Sequence, residues 1–308
     1  MSHKEQLDFI KQKWTELHNE PGVFKYKLNV ASRKYLPGKY NIYTELNPDR
    51  SKLRRLPLAI PSLFTEFDHN KFNFNKIKPN EKLLDIPFED TVISFLINQS
   101  PLTPYHSLIC PDLEKSQPQL ITEKALEFSI EFLLSIDEKD YRIGYNSPGA
   151  LASVNHLHLH LMYMDFDLYI EKADLESIGK TGAYRLHDSM PTEAICFLID
   201  ENNKETIVKN IYALIEFMFK HSIPHNIFIT PDRQQEGKQL KLFIYARGEH
   251  FVIKDVMALN VAFLEFSGYF PLGDSELFNN LTEDRVLEKI KQQTGNVYTS
   301  IYKYLNEL

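Results

Sequence analysis

Cysteine occurs only twice in this 308-residue chain, at Cys110 and Cys196. Two thiols build neither a disulfide framework nor a thiolate zinc cluster, and such usage suits a reducing compartment. Positive charge is also in deficit: 35 Lys and Arg stand against 42 Asp and Glu, a net charge of −7. Non-specific nucleic-acid binding needs a basic surface that displaces condensed counterions, so no nucleic-acid partner is expected. An anionic small molecule stays open, because local donors decide that. Long apolar runs are lacking. Residues 1–17 mix Lys4, Glu5, Asp8, Lys11 and Lys13 with apolar residues, which excludes a hydrophobic signal region, and no later stretch is long enough to span a bilayer. A cytosolic protein without a membrane partner is expected. The short fixed period of a solenoid or propeller is absent too. What remains is ordinary globular composition, 43% hydrophobic and 25% charged, long enough for one large core or two modest ones.

Leu7, Ile10, Trp14 and Leu17 recur at helical spacing and predict a first helix that Pro21 and Gly22 end. Residues 24–28 and 40–46 alternate like strands. The charge-rich run 49–56 (DRSKLRRL) is either a solvated connection or a phosphate contact. Residues 72–77 (FNFNKI) read as an amphipathic strand, and residues 91–97 and 106–110 as an antiparallel pair. From Thr122, the positions Leu126, Ile130, Leu133 and Leu134 make a helix, followed by strands over 141–146 and 154–163. Residues 165–191, with Gly179 and Gly182, resemble a linker or insertion. A second cycle follows: a strand over 195–199, a helix through Ile207, Ile211, Leu214, Ile215 and Met218, strands over 226–230 and 240–245, and a helix over 256–266 ending at Gly268. The recurrence points to two copies of one α+β unit on antiparallel sheets.

The chemistry is stated at residues 155–161 (NHLHLHL), where His156, His158 and His160 alternate with leucines. In a strand the three imidazoles share one face and the leucines anchor the other. His156 and His160 then lie roughly 13 Å apart, too far to ligate one metal without bending the strand. Two of them with a ligand from elsewhere would still suit zinc. A purely structural row would need partners for three buried imidazoles, which apolar residues would avoid. A linear track of imidazoles suits an extended anion such as a nucleotide's phosphates. His158, at the centre, is the expected nucleophile, its second nitrogen bonded to a backbone carbonyl that fixes the tautomer. His156 and His160 are expected to donate to non-bridging and leaving oxygens. Upstream, Asn146 ends a strand and the loop 147–153 (SPGALAS) returns the chain. Small residues such as Gly149 let backbone amides approach an anion, and Asn146 and Ser153 add donors; the Pro148–Gly149 pair equally makes an ordinary turn.

The triad resembles that of the histidine triad superfamily of nucleotide hydrolases and transferases. The longer string 144–160 (GYNSPGALASVNHLHLH) resembles the GDP-D-glucose phosphorylase family, whose plant relatives are GDP-L-galactose phosphorylases. Glutamine usually ends the plant triad, so His160 favours the animal type. Collinear segments extend the likeness: Leu36, Pro37 and Gly38; Leu46 and Asn47 with Arg54 and Arg55; FNFNKI; Ser100 to Leu102 with His106 and Pro111; HNIFIT at 225–230; Lys254 and Asp255; and NVAFLEFSGYFP at 260–271. Departures fall at Leu161, Tyr269 and Tyr105, where the family often has glycine, histidine and glycine.

The resemblance implies a histidine-triad-like α+β fold of two similar halves, each with an antiparallel sheet and packed helices, and the triad only in the first. Expected divisions are 1–68 (N-terminal helix and extended segments), 69–164 (catalytic half), 165–191 (connecting segment) and 192–308 (triad-less half with C-terminal helices). It implies phosphate-dependent cleavage of GDP-glucose to GDP and glucose 1-phosphate, with His158 guanylylated, Asn146 and Ser153 at the phosphates, and Asn75 or Lys76 at the nucleotide. Partners are then a GDP-hexose and inorganic phosphate, with no cofactor or metal, and homodimer formation left open. Rival expectations are a dinucleoside polyphosphate phosphorylase, a nucleotide hydrolase, and a nucleotide-binding module without turnover.

Overall fold

A computed structural model describes residues 1–53, 56–234, 237–248 and 259–308. Arg54, Arg55, Lys254, Asp255 and the start of the helix expected over 256–266 lie outside the described residues. In chain order the elements are α1 (His3–Asn19), β1 (Ser32–Tyr35), β2 (Tyr43–Leu46), α2 (Pro48–Leu53), β3 (Lys82–Phe88), β4 (Thr91–Ile97), β5 (Ser107–Pro111), α3 (Glu123–Ile136), β6 (Tyr141–Asn146) and β7 (Leu159–Tyr163). Then come β8 (Leu175–Ile178), β9 (Ala183–Leu186), β10 (Ile195–Ile199), α4 (Lys204–Lys220), β11 (His225–Pro231), β12 (Leu240–Ala246), α5 (Phe263–Ser267), β13 (Tyr269–Leu272), α6 (Ser275–Asn280), α7 (Glu283–Thr294) and α8 (Val297–Glu307).

Ten strands form one antiparallel sheet in the order β3-β4-β5-β7-β6-β11-β12-β10-β9-β8. Three strands, a helix and two strands build each side, and the sides meet where β6 pairs with β11, Asn146 opposite Asn226. Strand alternation divides the side chains between two cores. Ile143, Tyr145, Leu159, Leu161, Ile227, Ile229, Leu242 and Ile244 face the helices, together with Leu7, Ile10 and Trp14 of α1 and the apolar faces of α3 and α4. Met162, Phe228, Phe243 and Tyr245 face the other way, under α5 and the small sheet β1-β2-β13. Ser2 caps α1, accepting from Glu5 N while the Glu5 carboxylate accepts from Ser2 N. Trp14 donates to the His106 carbonyl (3.2 Å), tying α1 to the start of β5.

Several sequence expectations change. Residues 24–28 form no strand. Residues 72–77 hold a 3-10 turn (Phe74–Lys76), begun by the Asn73 side chain accepting from Asn75 N. Strand β7 starts at Leu159, so only His160 of the three histidines lies within it. The segment 165–191 is no linker: β8 and β9 within it are the outer strands of the second half. Both strands are short and half-exposed, β8 forms the sheet edge, and that exposure erased the apolar alternation by which strands are read. Among the described residues no helix is long and apolar enough to cross a membrane.

Candidate active site

The site grows from the C-terminal end of β6 and the chain leading into β7. The start of the connecting loop is pinned by β11: Ser147 N donates to the His225 carbonyl (3.0 Å) and His225 N donates to Ser147 Oγ (2.9 Å). The amides of Ala150 and Ala152 both donate to the Ser147 carbonyl, closing a turn in which Gly149 (φ +75°) and Leu151 (φ +69°) take left-handed backbone. Gly149 sits in that turn and is not among the cleft-lining residues, whereas Leu151, Ala152, Ser153 and Val154 are. Asn146 also lines the cleft; its Oδ1 accepts from Asn226 Nδ2 (2.6 Å) and Phe263 N (3.4 Å), so its Nδ2 is the donor available to a ligand. A Cβ on Gly144 would fall 2.1 Å from the Phe263 ring, which explains the glycine of the GYN run.

Gln119, in the loop before α3, is fully buried and holds His158. Its Nε2 donates to the carbonyls of Asn146 (3.0 Å) and His158 (2.9 Å), and its Oε1 accepts from His158 N (2.9 Å). His158 Nδ1 stands 2.9 Å from that Oε1 and 2.7 Å from the His156 carbonyl. A carbonyl only accepts, so Nδ1 carries the proton and the neutral ring keeps its lone pair on Nε2. His158 lines the cleft at 3% exposure, with the Phe74 ring edge-on 5.0 Å away.

His160 also lines the cleft, and its Nδ1 lies 3.0 Å from Nε2 of a fourth histidine, His106. His106 Nδ1 accepts from Leu102 N (3.1 Å), so its single proton sits on Nε2, facing His160 Nδ1; the Asn98 side-chain amide lies 3.1 Å from the same nitrogen. Burial, helped by the charge of Arg50, pushes the His106 pKa down to about 3 and keeps the ring neutral. Neutral His160 then carries its proton on Nε2 as a donor. Arg50, from the run read as solvated or phosphate-reaching, lines the cleft.

His156 departs from the expected row. It is fully buried and is not a cleft-lining residue; Nδ1 accepts from Phe74 N (3.1 Å) and Nε2 donates to the Leu113 carbonyl (3.0 Å). Burial pushes its pKa down to about 4. The chain bends before Leu159, so strand alternation does not govern His156. Asn75 and Lys76 point outward instead of into the cleft: Asn75 Nδ2 donates to Ser116 Oγ (3.0 Å) and Lys76 Nζ to the carbonyls of Asn70 and Lys71. The 3-10 turn reverses the expected faces, and Phe72, Phe74 and Ile77 line the cleft instead. Sequence reasoning missed Gln119 and Asn98 as site residues, left Arg50 within a run read as either solvated or phosphate-reaching, and held His106 only as part of a resemblance; single polar residues in loops carry no periodic signal.

A family model described as GDPGP1-like, N-terminal domain, matches residues 7–162, and one described as GDPGP1-like, C-terminal domain, matches residues 179–295. The chain belongs to the GDPGP1-like family. Curated relatives of this family member include GDP-D-glucose phosphorylase 1 of Danio rerio, 34% identical over 92% of this chain and 84% of that protein, and of Xenopus laevis, 33% identical over 91% and 82%. In fold it is similar to yeast Ap4A phosphorylase Apa2, with a TM-score of 0.67 and 16% identity over 96% of both chains. Tyr105 stands where the resemblance has glycine, and its φ of +58° shows why glycine suits that position.

Proposed function

We propose that this chain is a GDP-hexose phosphorylase that converts GDP-glucose and phosphate to GDP and glucose 1-phosphate through a guanylylated His158. The observation that carries the reading is the His158 tautomer: Nδ1–H is held by the His156 carbonyl and Gln119, which makes Nε2 the nucleophile at the cleft. Nε2 attacks the phosphorus attached to guanosine, the bond to the bridging oxygen breaks, and glucose 1-phosphate leaves. In this reading His160 Nε2–H donates to the departing oxygen, and Asn146 Nδ2, Ser153 and Arg50, which line the same cleft, bind the phosphates. In the second step a phosphate oxygen attacks the same phosphorus, the P–N bond breaks, and GDP is released.

Supplying GDP-glucose without phosphate should add one GMP to the protein, seen by intact mass spectrometry, and His158→Ala should add none. Turnover should then rise steeply with phosphate. Equal rates in phosphate-free buffer would favour hydrolysis. The two thiols, Cys110 and Cys196, are free and buried, which supports a cytosolic setting.

A further inference from the structure

The cleft extends past His158 into an apolar slot lined by Phe72, Phe74, Ile77, Leu96 and Leu108. Such walls suit a planar base, and Phe74 touches both the slot and His158, so a base held there leaves its phosphates at the nucleophile. Apolar walls do not tell guanine from adenine. The distinction lies in the Watson–Crick edge: guanine presents N1–H and the N2 amino group, two parallel donors, whereas adenine presents the N1 lone pair there. A carboxylate accepts both guanine donors in a bidentate pair and repels the adenine lone pair.

Two carboxylates line the cleft. Glu265 follows Phe263, whose ring packs on His160 at 5.6 Å, so it belongs to the leaving-group side. Glu81 ends a 3-10 turn (Pro79–Glu81) immediately before β3, lines the cleft with the slot residues, and is only 6% exposed. Its Oε1 accepts from Lys78 N (3.0 Å), which fixes the carboxylate in place. We propose that Glu81 reads the guanine base by accepting its N1–H and N2–H. The assignment rests on the guanylyl-transfer reading and adds the residue that makes the site a guanine site.

Titration calorimetry with GDP and with ADP, on the full chain and on Glu81→Gln, tests it. The amide keeps an oxygen for Lys78 N, so the turn survives, but the carboxylate charge is lost. The unaltered protein should bind GDP about 30-fold or more tighter than ADP; Glu81→Gln should lose about 30-fold for GDP while ADP changes less than about threefold. Glu81→Asp, one methylene short, is the second variant and should lose about tenfold for GDP alone. Equal binding of GDP and ADP by the unaltered protein, or full GDP preference in either folded variant, overturns the assignment. Parallel assays of GDP-glucose with phosphate separate the two readings: selective GDP binding that depends on Glu81, without phosphorolysis, sinks the phosphorylase and leaves Glu81 as the guanine contact.

Discussion

Gln119 contacts both ends of the loop that carries the nucleophile, through the carbonyls of Asn146 and His158 and the amide and ring of His158. Gln119→Leu keeps the volume and removes all four contacts, leaving buried carbonyls unpaired at about 1–3 kcal/mol each. We expect at least a tenfold drop in kcat, because His158 loses one of the two groups that hold its tautomer, and a lower melting temperature. Unchanged kcat in a folded Gln119→Leu protein would mean that the His156 carbonyl suffices. His156 and His160 should separate under mutation. His156→Leu, which removes two backbone contacts at a fully buried position, is expected to cost roughly 2–4 kcal/mol in urea denaturation. His160→Ala takes the acceptor from the buried His106 Nε2–H, at a cost of about 1–3 kcal/mol, and should slow the departure of glucose 1-phosphate, so that the pre-steady-state guanylylation rate falls.

At the scale of elements, the loop between β6 and β7 depends on backbone that few residues adopt. Gly149 at φ +75° sits inside a turn closed by two amides on the Ser147 carbonyl. Gly149→Ala should destabilise by about 1–2 kcal/mol and shift the loop donors proposed to bind the phosphates, raising the KM for phosphate as well as lowering the melting temperature. Strand β6 is legible in sequence because both faces are buried and Gly144 admits Phe263. The 3-10 turn at Phe74–Lys76 is not legible so, because aromatic–polar alternation fits a strand equally well. The capping Asn73 and the bond from Phe74 N to His156, 82 positions later, decide it.

At the scale of the whole molecule, the second half completes the first. Pairing of β11 with β6 covers an otherwise open sheet edge, Asn226 orients Asn146, and Phe263 packs on His160. A chain ending at Pro191 keeps β8 and β9 without β10 and loses all three contributions, so it should aggregate or self-associate and fail to guanylylate. A soluble, monomeric, fully reactive fragment would show that the second half is dispensable. Protons act on the whole fold too. Burial holds His106 at about 3 and His156 and His225 at about 4, below the ordinary 6.5. Between those values the unfolded chain binds protons that the folded chain refuses, so stability is fully present above about pH 6.5 and is lost as pH falls toward 4. Urea midpoints measured from pH 7 to 4.5 should fall, and a flat profile would contradict the buried neutral state of these rings.

Strands over 91–97, 141–146 and 195–199, the α+β class and the repeated unit follow from local pattern, since burial on a sheet or helix face imposes a period that the chain itself displays. The proposal of His158 as nucleophile also starts from local pattern, its place between two flanking histidines. Its tautomer, the burial of His156 away from the cleft, the outward turn of Asn75 and Lys76, and the recruitment of Gln119, His106, Arg50 and Glu81 were decided only by tertiary structure. Gln119 reaches His158 across 39 positions and Phe74 reaches His156 across 82, and a single polar contact across that distance leaves no period in the sequence. The outer strands β8 and β9 escaped for the complementary reason: half-exposed and short, they carry the composition of a linker until β9 pairs with β10 and β8 with β9.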